Sequence, residues 1–143
     1  MKVAILILSV ALIFSSVAHA VTVSYDTVYD APGRSLSTVA CSDGANGLLT
    51  RGFTTFGSLP NFPDIGGASA VAGWNSPNCG TCWQLTYTNS TGEKKSINIL
   101  AVDVGAGFNI ALAAMNELTG GKAVQFGRVD VASEQVNASV CGL

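Results

Sequence analysis

The sequence is short of charge and almost without histidine. Only 11% of its 143 residues are Asp, Glu, Lys or Arg, and the one histidine is His19. Its first twenty residues have the layout of a secretory leader: Lys2 as a basic start, an apolar stretch from Val3 to Phe14, and Ala18-His19-Ala20 as a small-residue cleavage site. Cleavage there removes His19. The remaining domain, 21–143, then has no imidazole for a Ser-His or Cys-His nucleophile, a histidine metal site or a pH switch. Neither a metal nor another cofactor is expected. Beyond the leader no run approaches the roughly 20 apolar residues of a membrane span, so the expected product is a secreted, single-domain protein.

Basic residues are equally sparse. Seven Lys and Arg, one of them Lys2, stand against nine Asp and Glu, and those downstream (Arg34, Arg51, Lys94, Lys95, Lys122, Arg128) are scattered. A nucleic-acid partner needs a concentrated basic face to displace counterions, so nucleic acid is excluded as the expected ligand.

Four cysteines are present, Cys41, Cys79, Cys82 and Cys141. In an exported chain they read as two disulfides with three connectivities. A Cys79–Cys82 bridge is the reducible kind used by redox enzymes. Here the pair precedes a strand and has no basic residue nearby to activate a thiolate, so each cysteine is assigned a distant partner, in either order. Each loop so closed contributes roughly 3–5 kcal/mol in the chain-entropy model. The stretch Gly73 to Trp83, with two cysteines and both tryptophans, is thus the hub of the chain.

Alternation predicts a strand over 21–29, ended by Asp30-Ala31-Pro32-Gly33. A brief helical turn is expected at Leu48-Leu49, and 52–78, rich in Gly, Pro, Ser, Thr and Asn, reads as a long loop without regular structure. Strands follow over 82–88 and 95–104, the second apolar on both faces and therefore central. Asn109 is the expected N-cap of a helix over 110–118, stopped by Gly120. Val124 to Val131 reads as a strand bent at Gly127, and Val136 to Val140 as a last strand. About six short strands and one or two short helices without a βαβ rhythm favour a mainly β, closed or nearly closed barrel.

Asp103 lies between Val102 and Val104 in the most apolar strand, a costly place for a charge without partners. It is read both as a cap for the N–H groups of 105–107 and as a strand-end carboxylate facing a groove, where it binds a hydroxyl or acts as an acid. A glycosidase needs a second carboxyl group, and none sits in an equally apolar setting, so no catalytic residue is assigned. Trp74, Trp83, Tyr25, Tyr29 and Tyr87 suit sugar stacking as well as core packing. Trp83 is expected in the core, and Tyr25 and Tyr29 towards solvent. Asn89-Ser90-Thr91 and Asn137-Ala138-Ser139 are glycosylation sequons, the first favoured by its place in a turn.

Several stretches together resemble the cerato-platanin family of small secreted fungal proteins. They are Val23 to Asp26, Cys41 to Gly44 with Asn46-Gly47-Leu48, Phe62 to Gly67, Ala72 to Trp83, Val102-Asp103 with Gly107-Phe108-Asn109, and Gly127-Arg128-Val129. The resemblance implies a six-stranded double-psi β-barrel with Cys41–Cys79 and Cys82–Cys141 bridges. It also implies binding of chitin or N-acetylglucosamine oligomers in a shallow groove, expansin-like loosening of cell-wall polysaccharide, and perception by a plant receptor as a defence elicitor. Asp103 matches the family's aspartate associated with expansin-like activity, and Tyr25, Asp43, Asn46 and Asn109 are candidate groove residues. The competing readings are a glycan-cleaving enzyme using Asp103 as its acid and a surface-active structural wall protein.

Overall fold

A computed structural model of the chain describes residues 10–12 and 17–143. Most of the expected leader therefore lies outside the described residues. Six strands close into a barrel: β1 (His19–Tyr25), β2 (Ile65–Ala68), β3 (Cys82–Thr88), β4 (Lys94–Val104), β5 (Phe108–Ile110) and β6 (Arg128–Val136). Around the barrel their order is β1-β5-β2-β4-β3-β6. Pairs β1–β5 and β2–β4 are parallel and the other four antiparallel. This is the six-stranded barrel expected, with helices α1 (Leu112–Thr119) and α2 (Ala123–Phe126) and both implied disulfides, Cys41–Cys79 and Cys82–Cys141. Closure leaves no free edge along which another chain could pair.

Strand β4 is central for the reason its sequence gives. Ile97 and the run Ile99 to Val102 are buried: α1 and the C-terminal turn 138–141 pack against the strand, and from the segment between β1 and β2 Cys41 N donates to Val102 O at 3.1 Å. That segment carries its own apolar set (Tyr29, Leu36, Val39, Leu48, Phe56, Leu59), with Tyr29 stacked on Phe56 at 5.9 Å between centroids. At Leu48-Leu49, where a brief helical turn is expected, the chain makes two successive hydrogen-bonded turns (Arg51 N to Leu48 O, 3.1 Å; Gly52 N to Leu49 O, 3.0 Å) that do not extend into a helix.

Five expectations are corrected. The loop expected over 52–78 contains a buried strand, β2, read as Ile65-Gly66-Gly67-Ala68. Its glycines hid it, yet they are required. A methyl at Gly66 would meet the Asn109 carbonyl, and one at Gly67 the Val104 carbonyl. Strand β1 stops at Tyr25, because the Asp26 carboxylate accepts from Val28 N (2.9 Å) and opens a 3-10 turn over Thr27–Asp30. Asn109 caps nothing. It sits in β5, and α1 starts two residues later, its first N–H groups (Leu112 and Ala113) donating to Asp30 at 2.7 and 2.9 Å. Finally, Val124 and Phe126 belong to α2, which Gly127 ends at φ 68°, and the last strand runs over 128–136. The segment expected as that strand is instead a 3-10 turn over Ala138–Cys141, capped by Asn137.

Two aromatic expectations also change. Tyr29, expected towards solvent, is buried, while Trp83 is half-buried with its edge on Phe108 (5.8 Å).

Candidate functional site

One polar row crosses the outside of the barrel. Asp103 on β4 is in register with Gly67 on β2, Gly67 with Asn109 on β5, and Asn109 with Ser24 on β1. Cross-strand partners share a face, so Asp103, Asn109 and Ser24 fall in one row, with the backbone of Val104 and Gly105 packed close over Gly67 between the first two. Ser24 Oγ donates to Asn109 Oδ1 at 3.0 Å. The alternation that turns Ser24 outward turns Tyr25 the other way, and its ring packs on the core. Tyr25 therefore lies outside the row.

Asp103 does not cap residues 105–107. Its Oδ1 accepts from Ala40 N (3.0 Å) and Val104 N (2.9 Å), and its Oδ2 from Tyr29 Oη (3.2 Å). The carboxylate is thus a latch between β4 and the segment that packs over it. Burial, the adjacent Asp103 charge and this hydrogen bond push the Tyr29 phenol well above its ordinary value, so it stays a donor.

Asp43 and Asn46 form a second cluster on the next turn of chain. Trp74 Nε1 donates to Asp43 Oδ1 at 2.6 Å, and that bond, with a backbone bond and one from Ser42, holds the carboxyl below the usual carboxylate range. Asn46 grips Asn75 twice, its N–H donating to Asn75 Oδ1 (2.9 Å) and its Nδ2 to Asn75 O (3.0 Å). Asn75 occupies the left-handed region at φ 57°, and the Cys41–Cys79 bridge ties both loops together. The outcome is a fixed Trp74 whose side is 63% exposed. Only two residues, Cys41 and Ser42, separate Ala40, on the Asp103 carboxylate, from Asp43. Trp74 suits sugar stacking by its chemistry but lies outside the groove residues that the resemblance implies. Its signal is a large aromatic set between Gly73 and Asn75, without the apolar alternation that marks a core strand.

A third acid behaves differently. Asp64 is pushed up to about 6, first by burial and then by the neighbouring Glu117 carboxylate, and its Oδ1 has no partner among the described residues. The folded state therefore holds a proton that the unfolded chain, with an ordinary pKa of about 3.9, has released. Stability falls as pH rises from about 4 to about 6, and the loss is complete above that window. Asp64→Asn, whose amide can donate to Glu117, should melt higher than the parent at pH 7, and the difference should vanish at pH 3.5 in thermal melts across that range.

Among the described residues no cluster of three or more metal-ligating side chains occurs, and no helix is long and apolar enough to cross a membrane. The sequence profile of the cerato-platanin family matches residues 21–143. An allergen Asp f 15 homolog from Arthroderma benhamiae is 50% identical over 128 residues, 90% of this chain and 61% of the relative, so the chain spans about three-fifths of that protein's length. A heat-stable 19 kDa antigen from Coccidioides immitis is 48% identical, covering 88% of this chain and 84% of the relative. The crystal structure of cerato-platanin 2 from M. perniciosa superposes with a TM-score of 0.83 at 53% identity, covering 87% of this chain and all of that one. The family profile over residues 21–143, the shared fold and this degree of identity over nearly the whole domain make the chain a member of the cerato-platanin family.

Proposed function

We propose that the chain is a secreted, non-catalytic carbohydrate-binding protein that takes chitin or N-acetylglucosamine oligomers across the row Asp103, Asn109 and Ser24. Wall loosening of the expansin kind and perception by a plant receptor as an elicitor belong to the same reading. The observation that carries it is the row itself: three short polar side chains brought into register from three different strands of the barrel. Amide and hydroxyl groups spaced along a strand row suit the acetamido and hydroxyl groups of such an oligomer. The fixed indole of Trp74 supplies an exposed aromatic face on the neighbouring loop. Binding is favoured over bond cleavage because three donors already point at the Asp103 carboxylate, which therefore serves the fold as an acceptor.

Co-sedimentation with colloidal chitin tests this reading. The wild type should pellet and Asn109→Ala should lose at least half of the bound fraction, while mass spectrometry of chitin oligomers after long incubation finds no shorter products. Equal pelleting of Asn109→Ala would remove the row from the account, and new shorter oligomers would replace binding by cleavage. Secretion carries its own check. N-terminal sequencing of protein from the culture medium should begin at Val21, which trims only the exposed His19 and Ala20 from β1.

A further inference from the structure

Two adjoining concavities lie away from the polar row, around the β3–β4 turn. Tyr87, near the end of β3, pairs with Lys95 at the start of β4, roughly 25 Å along the extended strand from Asp103. A cavity of about 590 Å³ is lined by Tyr87, Asn89, Thr91, Thr119, Lys122 and Phe126, and a second of about 360 Å³ shares Tyr87 and Asn89 and adds Glu93 and Glu117. Both volumes are in the range of small-ligand sites, about 300–1,000 Å³. Tyr87 and Phe126 stand 6.4 Å apart as a tilted pair, with Lys122 Nζ 5.9 Å from the Phe126 ring. Phe126 remains 38% exposed. An open aromatic wall with an amide, hydroxyls and charges at its rim is the composition that holds a sugar ring, apolar face inward.

Asn89 is also the acceptor of a sequon, and its side chain is already set for that use. Its Oδ1 is turned into the loop and accepts from Thr91 N (3.0 Å), Thr91 Oγ1 (2.8 Å) and Glu93 N (2.9 Å). Its Nδ2 has a single long contact, 3.5 Å to Glu93 Oε2. The reactive nitrogen is thus the uncommitted end of the side chain, at a position lining two cavities that share an aromatic ring.

We infer that Asn89 carries an N-linked glycan whose first N-acetylglucosamine packs against Tyr87 in this cavity. In the transfer, Asn89 Nδ2 forms a bond to C1 of the sugar and loses one proton. The C1–O bond to a polyprenol diphosphate donor breaks, and the lipid diphosphate leaves. Linked sugar then covers the exposed faces of Tyr87 and Phe126. The inference requires passage through a compartment that modifies sequons, and is independent of the polar row. Asn137, the second sequon, lines neither of these two cavities, and its Oδ1 caps the 3-10 turn through Ser139 N.

The test uses the full chain secreted from a yeast host in the Ser139→Ala background, which leaves only the Asn89 sequon. Peptide mass spectrometry after endoglycosidase treatment should find Asn89 holding one N-acetylglucosamine. This form should melt about 2–5 °C above protein stripped completely, and Tyr87→Ala should abolish the difference between its own two forms. Comparing forms within each variant cancels any baseline cost of Tyr87→Ala. An unmodified Asn89 overturns the proposal. Occupancy with a melting difference that survives Tyr87→Ala overturns the packing. An empty Asn89 together with Tyr87 ring signals that shift on adding free N-acetylglucosamine dimer assigns the cavity to soluble oligomers instead.

Discussion

Asp103→Ala is expected to lower the melting temperature by about 10 °C, a loss of roughly 2–4 kcal/mol, before any ligand is added. The substitution deletes the acceptor of three bonds at once: Ala40 N, Val104 N and Tyr29 Oη. Two of these donors tie the segment 27–60 to β4, and the Tyr29 residue is only 4% exposed, so its hydroxyl would be left with little access to water. Asp103→Asn separates shape from charge. Its Oδ1 can still accept from both backbone groups and its amide can donate to the Tyr29 oxygen, so its loss should be about 1 kcal/mol or less. Thermal melts of the three proteins at pH 7 check this, and an Asp103→Ala variant as stable as the wild type would refute the latch. A practical consequence follows for binding work. Lost chitin binding in Asp103→Ala confounds contact with collapse of the overlying segment, whereas a stable Asp103→Asn that fails to bind isolates the carboxylate.

A loss of similar or larger size should come from the double substitution Cys41→Ala with Cys79→Ala. The bridge spans 38 residues of sequence, and chain entropy gives it about 4 kcal/mol. Against a domain stability of about 5–15 kcal/mol this is a large fraction, and the variant should be partly unfolded at 37 °C. It should also act locally. Cys41 and Cys79 hold together the two loops that clamp Trp74, through Asp43 on one and Asn75 on the other. Trp74 fluorescence in the folded population at 15 °C should therefore become more accessible to iodide. Removal of the Cys82–Cys141 bridge spans 59 residues and costs a similar amount, but leaves Trp74 quenching unchanged. Equal quenching changes in the two double variants would contradict the assignment of the first bridge to the Trp74 loops.

The parts of this fold that the sequence announced are those where local pattern and burial agree. β3 and β4 alternate or run apolar as their neighbours demand, and Asp103 stood out because nothing else in β4's second half is charged. Strand β2 was invisible because its defining property is close approach of backbones, which shows only as two glycines among many. The start of α1 was misplaced because its cap, Asp30, arrives from 82 positions earlier, while Asn109 offered a plausible local cap. Tyr29 followed the same logic in reverse: its burial depends on Asp103 and Phe56, both distant in sequence. At the candidate site, the family resemblance supplied Asn109, but only strand register places it beside Asp103 and adds Ser24. Register likewise separates Tyr25 from that row.

The central claim is that N-acetylglucosamine oligomers lie along Asp103, Asn109 and Ser24. A residue-resolved NMR titration with the tetramer tests it most directly. Amide shifts should be saturable and concentrated at Ser24, Ala40, Asp103 and Asn109, with the Asn109 side-chain amide among the largest. Saturable shifts confined to other residues, or none at millimolar tetramer, would contradict it.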